Sequence, residues 1–327
     1  MIDQDVSAQV RVSAPAVRTA WLREQLAAEG FLVVFILWAI YLAVFTENFA
    51  TASNLTLIMR QASIYSIVAI GSTAVVLLGE LDISFGSVMT LAGCVAASVV
   101  VAGHGFGVGL ATAVGIGLVF GSVNAVLITV AKIPSVVTTL ATLAAGAGVA
   151  QLYTQGTSIY GDNLDAIGYL AQGSILGIPT PAVIALVLYG VAWVILTKTR
   201  PGAHVYATGD NAQSAYRSGI NTRRIRIAVF VVAGALAGAG GLLQAIRLGR
   251  ASSDLGTDAL FPVLTAVILG GVSIDGGRGR IFNTFLACLF LASITNGLIL
   301  LGVDSTVQQI IQGGVLLLAV SLDRLRR

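Results

Sequence analysis

Charge is scarce in this chain of 327 residues: Asp, Glu, Lys and Arg together make up 10% of it, against about 25% in an average soluble domain. So few charges cannot cover a water-facing surface, which excludes a soluble globular protein. Cysteine is nearly missing too. Cys94 and Cys288 each lie inside an apolar run, so they read as small core residues, and a disulfide framework or a cysteine metal site is excluded. The two histidines, His104 and His204, both fall in turn segments, which leaves a membrane-embedded enzyme without a catalytic constellation and the chain without a metal site. No stretch follows Gly-x-x-x-x-Gly-Lys-Ser/Thr, so this chain does not hold ATP in a phosphate loop and needs no bound cofactor of its own. A cleavable leader is not expected in residues 1–29, which carry Asp3, Asp5, Arg11, Arg18, Arg23, Glu24 and Glu29 with no apolar core. They are expected to form a cytoplasmic N-terminal segment.

What is abundant is apolar length. Hydrophobic residues reach 56% and mean hydropathy is +0.91. About 20 apolar residues, at 1.5 Å each, cross a hydrocarbon core about 30 Å thick. Stretches of that order predict ten transmembrane helices at roughly 30–46, 60–79, 86–103, 107–131, 134–153, 179–197, 226–246, 259–273, 281–301 and 305–322. The membrane body is thus 30–323, with a basic tail at 324–327. The eighth helix is the shortest and contains Pro262, so a break or tilt is expected there. Glycine is plentiful, at 38 residues. The pairs Gly117/Gly121 and Gly234/Gly238 have the spacing of close helix contacts, within or between subunits.

With the N-terminus inside and ten crossings, fifteen of the eighteen Lys and Arg residues face the cytoplasm. Only Arg60, Arg247 and Arg250 fall outside, the bias that the positive-inside rule demands. The net charge of +3 is therefore topological and calls for no nucleic acid. Ten crossings also divide into two halves of five with opposite orientation, the arithmetic of an inverted repeat. Both termini and the long connection 198–225 then lie in the cytoplasm of a plasma (inner) membrane protein.

That connection holds the densest positive charge of the chain. Asn211 is suited to cap a helix over Ala212 to Arg217, and Gly219 with Asn221 to end it. An anchor needs only charge, whereas this is a capped helix with small residues on one face.

The stretch "GDNAQSAYRSGI" resembles the cytoplasmic coupling segment of ATP-binding-cassette importer permeases, in the branch that carries simple sugars. Five further stretches agree in order: "GELDISFGSVMTLAG", "IPSVVTTLATL", "TKTRPGAHVYATGDN", "LGGVSIDGGRGRIFNT" and "NGLILLGVDSTVQQIIQGGVLLLAVSLD". Tyr216 departs from the family, which usually has a small residue there, as does Ile83 before Ser84 where Leu is common. The resemblance implies an all-α integral membrane protein of about ten transmembrane helices, with the inverted repeat of a type II importer permease. It further implies a second permease copy, identical or closely homologous, and a two-cassette ATP-binding subunit carrying ATP and magnesium. An extracytoplasmic sugar-binding protein completes the set. Coupling to the ATPase would rest on Gly209, Asp210, Asn211, Ser214, Ala215, Arg217, Ser218 and Gly219. The substrate would be a pentose or hexose such as ribose or xylose. Nucleosides and branched-chain amino acids are alternatives within the same broad fold, and an ion-coupled secondary transporter is an alternative of another class.

Polar residues inside the membrane segments are the candidates for the translocation path. Asp82 and Ser84 either cap the third helix or take part in gating, because a carboxylate at the bilayer centre costs about 2.5–3.5 kcal/mol unless it is partnered or wet. Asn124, Thr138, Thr139, Thr142 and Asn296 suit a neutral, hydroxyl-rich substrate, and equally suit interhelical hydrogen bonds. Arg247 and Arg250 break the charge pattern on the outer side. They are expected either to pair with Asp254 and Asp258 or to dock the binding protein.

Overall fold

The structure, a computed structural model, describes residues 33–325. The expected N-terminal segment and the side chains of the basic tail lie outside the described residues. The chain is a bundle of α-helices, as a bilayer requires: only a helix satisfies its own backbone hydrogen bonds away from water. In order come α1 (Val33–Phe45), α2 (Ala52–Leu77), α3 (Phe85–Val101), α4 (Gly105–Thr129) and α5 (Ser135–Thr154). A longer connection follows, with α6 (Asp162–Ala166), α7 (Tyr169–Gln172) and a hairpin of β1 (Ser174–Ile175) and β2 (Ile178–Pro179). Next are α8 (Thr180–Lys198), α9 (Arg200–Asp210), α10 (Ala212–Arg217) and α11 (Thr222–Leu248), then α12 (Thr257–Leu269), α13 (Ile281–Leu300) and α14 (Ser305–Leu325).

Six of these helices are long and apolar enough to cross a membrane, namely α2, α4, α5, α8, α11 and α13. Four shorter apolar helices (α1, α3, α12 and α14) bring the total among the described residues to the ten expected.

Two boundaries differ from expectation for physical reasons. Helix α2 begins at Ala52 rather than near residue 60, capped by the Thr51 hydroxyl, which accepts from the Asn54 amide. Its polar first turns are accommodated because Asn54 is buried and exchanges two side-chain hydrogen bonds with Asn296 on α13, at 2.9 and 2.8 Å. Helix α12 has only 13 residues with Pro262 inside it, about 20 Å of rise. The remaining depth is covered by the segment 249–256, which descends along α3: Ser252 accepts from the Cys94 thiol, and the Gly256 amide donates to Thr90 Oγ1 at 2.9 Å. Irregular backbone at such depth is tolerable because protein, not lipid, surrounds it.

Helix α11 is the hub. A Cβ at Gly117 of α4 would fall on the Gly234 carbonyl, and one at Gly234 on the Gly117 carbonyl. Gly121 meets Phe230 and Gly238 meets Ala113 in the same way, so the two glycine pairs face one another within the subunit. Gly241 packs on the Met89 carbonyl of α3, and Gly71 of α2 on Ala233. Around this seam sit the fully buried Phe230, Leu242 and Met89.

Candidate functional site

The connection 198–225 is more structured than a single short helix. The Thr199 side chain caps α9 by accepting from the Gly202 amide, and Pro201 occupies its first turn, where its missing N–H costs nothing. Asn211 Oδ1 accepts from the Ser214 amide at 2.9 Å and opens α10 over Ala212 to Arg217. Gly219 turns the chain with φ at +85°. Asn221 does not end α10; its side chain accepts from the Arg224 amide and caps α11.

The exposure of these residues sorts them. Asn211, Ser214, Arg217, Ser218 and Gly219 are exposed, as is Tyr216 at 69%. Ala215 is 5% exposed and faces the chain's own core. Its small size therefore serves the seat of α10 on this subunit, not a groove elsewhere. Asp210 is exposed, whereas Gly209 lies against the Leu77 carbonyl and the Gly277 amide.

This seat is a three-way junction. The Gly277 amide donates to the Leu77 carbonyl at 2.9 Å, joining the end of α2 to the α12–α13 turn. A Cβ at Gly209 would collide with both partners, and one at Gly276 or Gly277 with the end of α9. Tyr206 Oη donates to the Gly279 carbonyl at 3.1 Å. An ion pair of 3.3 Å links Arg226, in the first turns of α11, to Glu80 in the α2–α3 connection. The end of α9 thus meets the end of α2 and the α12–α13 turn at one junction, with the first turns of α11 tied to the α2–α3 connection beside it.

The α2–α3 connection leads into a buried polar chain. Asp82 Oδ1 accepts from both the amide (2.8 Å) and the hydroxyl (2.6 Å) of Ser84. Ser84 Oγ accepts from Asn124 Nδ2 at 2.8 Å, and Asn124 Oδ1 accepts from Thr142 Oγ1 at 2.8 Å. Ser84 occupies the N-cap position of α3 without a side-chain capping bond. Asp82 is therefore the head of a network tying α3, α4 and α5 together. Burial pushes its pKa above the ordinary carboxylate value, with the Ser84 hydroxyl and amide pulling the other way. Thr139 Oγ1 donates to the Leu81 and Ser135 carbonyls, while Thr138 Oγ1 is buried with no hydrogen-bond partner among the described residues. Asn296 stands apart from this network, in its pair with Asn54.

At the end of the bundle where α5 and α11 finish, α6, α7 and the hairpin form a cap that sequence reasoning did not anticipate. Ile159 and Ala251 exchange backbone hydrogen bonds of 2.8 Å. Gln172 donates to the Ile246 and Arg247 carbonyls, and Leu164 and Ala171 are fully buried beneath the cap. Arg250 is exposed and donates to Ser158 Oγ at 3.2 Å, but Arg247 turns inward, its Nε donating to Gln244 Oε1 at 3.2 Å. Neither forms an ion pair with Asp254 or Asp258 among the described residues.

Comparison with known proteins agrees with this architecture. Residues 54–320 match the family described as branched-chain amino acid transport system / permease component. The chain belongs to that permease family. It is 37% identical over 307 residues to the ribose import permease protein of Escherichia coli (strain K12), covering 93% of this chain and 94% of that one. The ribose import permease protein of Bacillus subtilis (strain 168) is 35% identical, covering 90% and 91%. The D-allose transport system permease protein of E. coli K12 is 32% identical, covering 90% of each. No solved structure matches the chain. As a member of this family, the chain is a multi-pass membrane protein and a transport permease.

Proposed function

We propose that this permease imports a simple sugar, of the class to which ribose and allose belong, using ATP hydrolysed on a separate subunit. The observation that carries this reading is the near full-length similarity to relatives named for ribose and D-allose transport. The family description names branched-chain amino acids, a zwitterionic cargo. The polar chain Ser84–Asn124–Thr142 is buried and hydrogen-bonded within the subunit, so the choice of a sugar rests on those named relatives. Two permease copies enclose the path, and a sugar-binding protein delivers cargo from outside. Arg250 and the outer cap are the parts of this chain placed to meet it. Rim charges of this kind set encounter rate and register more than affinity.

In this mechanism the exposed face of α10 sits in a two-cassette ATP-binding subunit that carries ATP and magnesium. Closure of the cassettes moves α9–α10. The Leu77–Gly209–Gly277 junction and the Arg226–Glu80 pair pass that motion to α2, α11 and α12. The Asp82–Ser84–Asn124–Thr142 chain carries it across to α5.

The orientation places both termini and 198–225 in the cytoplasm of the inner membrane. It is tested by impermeant thiol labelling of intact cells with Arg223→Cys or Asp162→Cys; the native Cys94 and Cys288 are buried and supply the background. Labelling at 162 without labelling at 223 is expected. The reverse pattern would overturn the orientation and, with it, the placement of the ATPase.

A further inference from the structure

The descent of residues 249–256 into the bundle brings charged and amide side chains to membrane depth. Gly241 packs on Met89, and the neighbouring Thr90 binds Gly256. Gly241 lies seven residues before the outer end of α11, about 10 Å inside. Helix α12 therefore starts well below the outer surface, with Asp258 in its first turn. Asp258 is exposed on the chain's surface, and so, at 40%, is Phe261 one turn on.

An exposed carboxylate at that depth is not compatible with lipid contact, because ionised groups in the hydrocarbon face a water-filled cavity or a partner. Its neighbours extend the polar wall inward. Arg247 lies within electrostatic range of both Asp258 and Tyr65. Gln244 receives the Arg247 hydrogen bond, and Gln61 Nε2 donates to Tyr65 Oη at 3.2 Å. Three helices, α2, α11 and α12, thus bring a carboxylate, a guanidinium, two amides and a phenol together; Tyr65 and Gln244 are buried supports, and Asp258, Arg247 and Gln61 are the members that reach the surface. An exposed aromatic ring sits at the cluster's edge.

We propose that this cluster is a substrate-contacting site of the translocation path, and that its ligand is a neutral polyhydroxylated ring. The opposed charges of Arg247 and Asp258 offer charge-assisted donors and acceptors to hydroxyl groups without favouring a net charge on the cargo. Phe261 offers an apolar face to the C–H side of the ring. This inference rests on the sugar reading above and deepens it by naming the residues that meet the cargo. It also moves Arg247 from binding-protein docking to the path, and leaves Arg250 on the outer surface.

Two measurements on the assembled permease test it. Asp258→Cys should react with a charged, membrane-impermeant thiosulfonate, and ribose delivered by the binding protein should slow that reaction. Val187→Cys, on the exposed apolar face of α8, should be inert to the same reagent. Asp258→Asn should lower sugar uptake about ten-fold, the loss expected of one charge-assisted hydrogen bond, and Gln61→Leu about five-fold, that of a neutral one. The ATPase stimulation by loaded binding protein should be retained in both, which a folding or assembly defect would not allow. Inertness of Asp258→Cys, or disulfide formation between two copies at that position, would place Asp258 in a subunit contact and overturn the site. Uptake at the wild-type rate in both polar variants would overturn it as well. If instead the wild-type permease moves no sugar, it is the sugar reading that fails.

Discussion

Valine at position 117 is expected to eliminate most folded permease, while valine at position 115 of the same helix leaves it intact. Both substitutions change helix propensity alike, so the difference isolates packing. A Cβ at Gly117 meets the carbonyl of Gly234, whereas nothing lies within 4 Å of one at Gly115. Overpacking costs about 1–3 kcal/mol where side chains can give way. Here the obstacle is backbone on a helix that also packs on α2 and α3, so separating α4 from α11 disturbs the whole hub. A loss of at least ten-fold in monodisperse protein after detergent extraction is expected for Gly117→Val, ten-fold corresponding to about 1.4 kcal/mol. Equal yields for the two variants would mean that the glycine seam does not carry the fold.

The second large effect is expected at α10. Tyr216 is 69% exposed, and its ring is the largest apolar surface that α10 offers to a partner. Aromatic anchors at interface centres typically lose about 2 kcal/mol or more on truncation, roughly thirty-fold in affinity. Tyr216→Ala should therefore leave insertion and folding unchanged, yet cost most co-purification of the ATP-binding subunit and most uptake. Position 215 is the poorer probe. Ala215→Arg would unseat α10 from its own subunit, since Ala215 is buried there, and would confuse folding with coupling. Wild-type co-purification and uptake by Tyr216→Ala would remove α10 from the contact.

Much of the fold was legible because it is written locally. Ten apolar stretches follow from composition and window length, and helix α10 from one capping asparagine and one glycine eight residues on. The shortness of α12 was legible in its apolar run, the shortest of the ten, whereas the helix runs through Pro262 without a break. What stayed hidden depends on partners distant in sequence. The first turns of α2 look too polar to span until Asn54 meets Asn296, 242 residues away. The descent of 249–256 needs Thr90 and Cys94 to receive it. Asp82 looks like a cap for α3, and only Asn124 and Thr142 turn it into the head of a network. The inward face of Ala215 is invisible in a six-residue helix, because too few turns exist to define an apolar stripe. Arg247 and Arg250 are near-neighbours with the same charge and opposite fates, which the orientation of the last turn of α11 decides.

The account's central claim is that this subunit moves a sugar by borrowing another chain's ATP hydrolysis. The most direct measurement is uptake of labelled ribose into proteoliposomes that hold the permease, its two-cassette ATP-binding subunit and its binding protein. Accumulation is expected only when ATP is supplied on the α10 side and loaded binding protein on the side of the 155–179 cap. Accumulation driven by a proton or sodium gradient without ATP, or ATP-driven import of leucine or a nucleoside with none of ribose or allose, would contradict it.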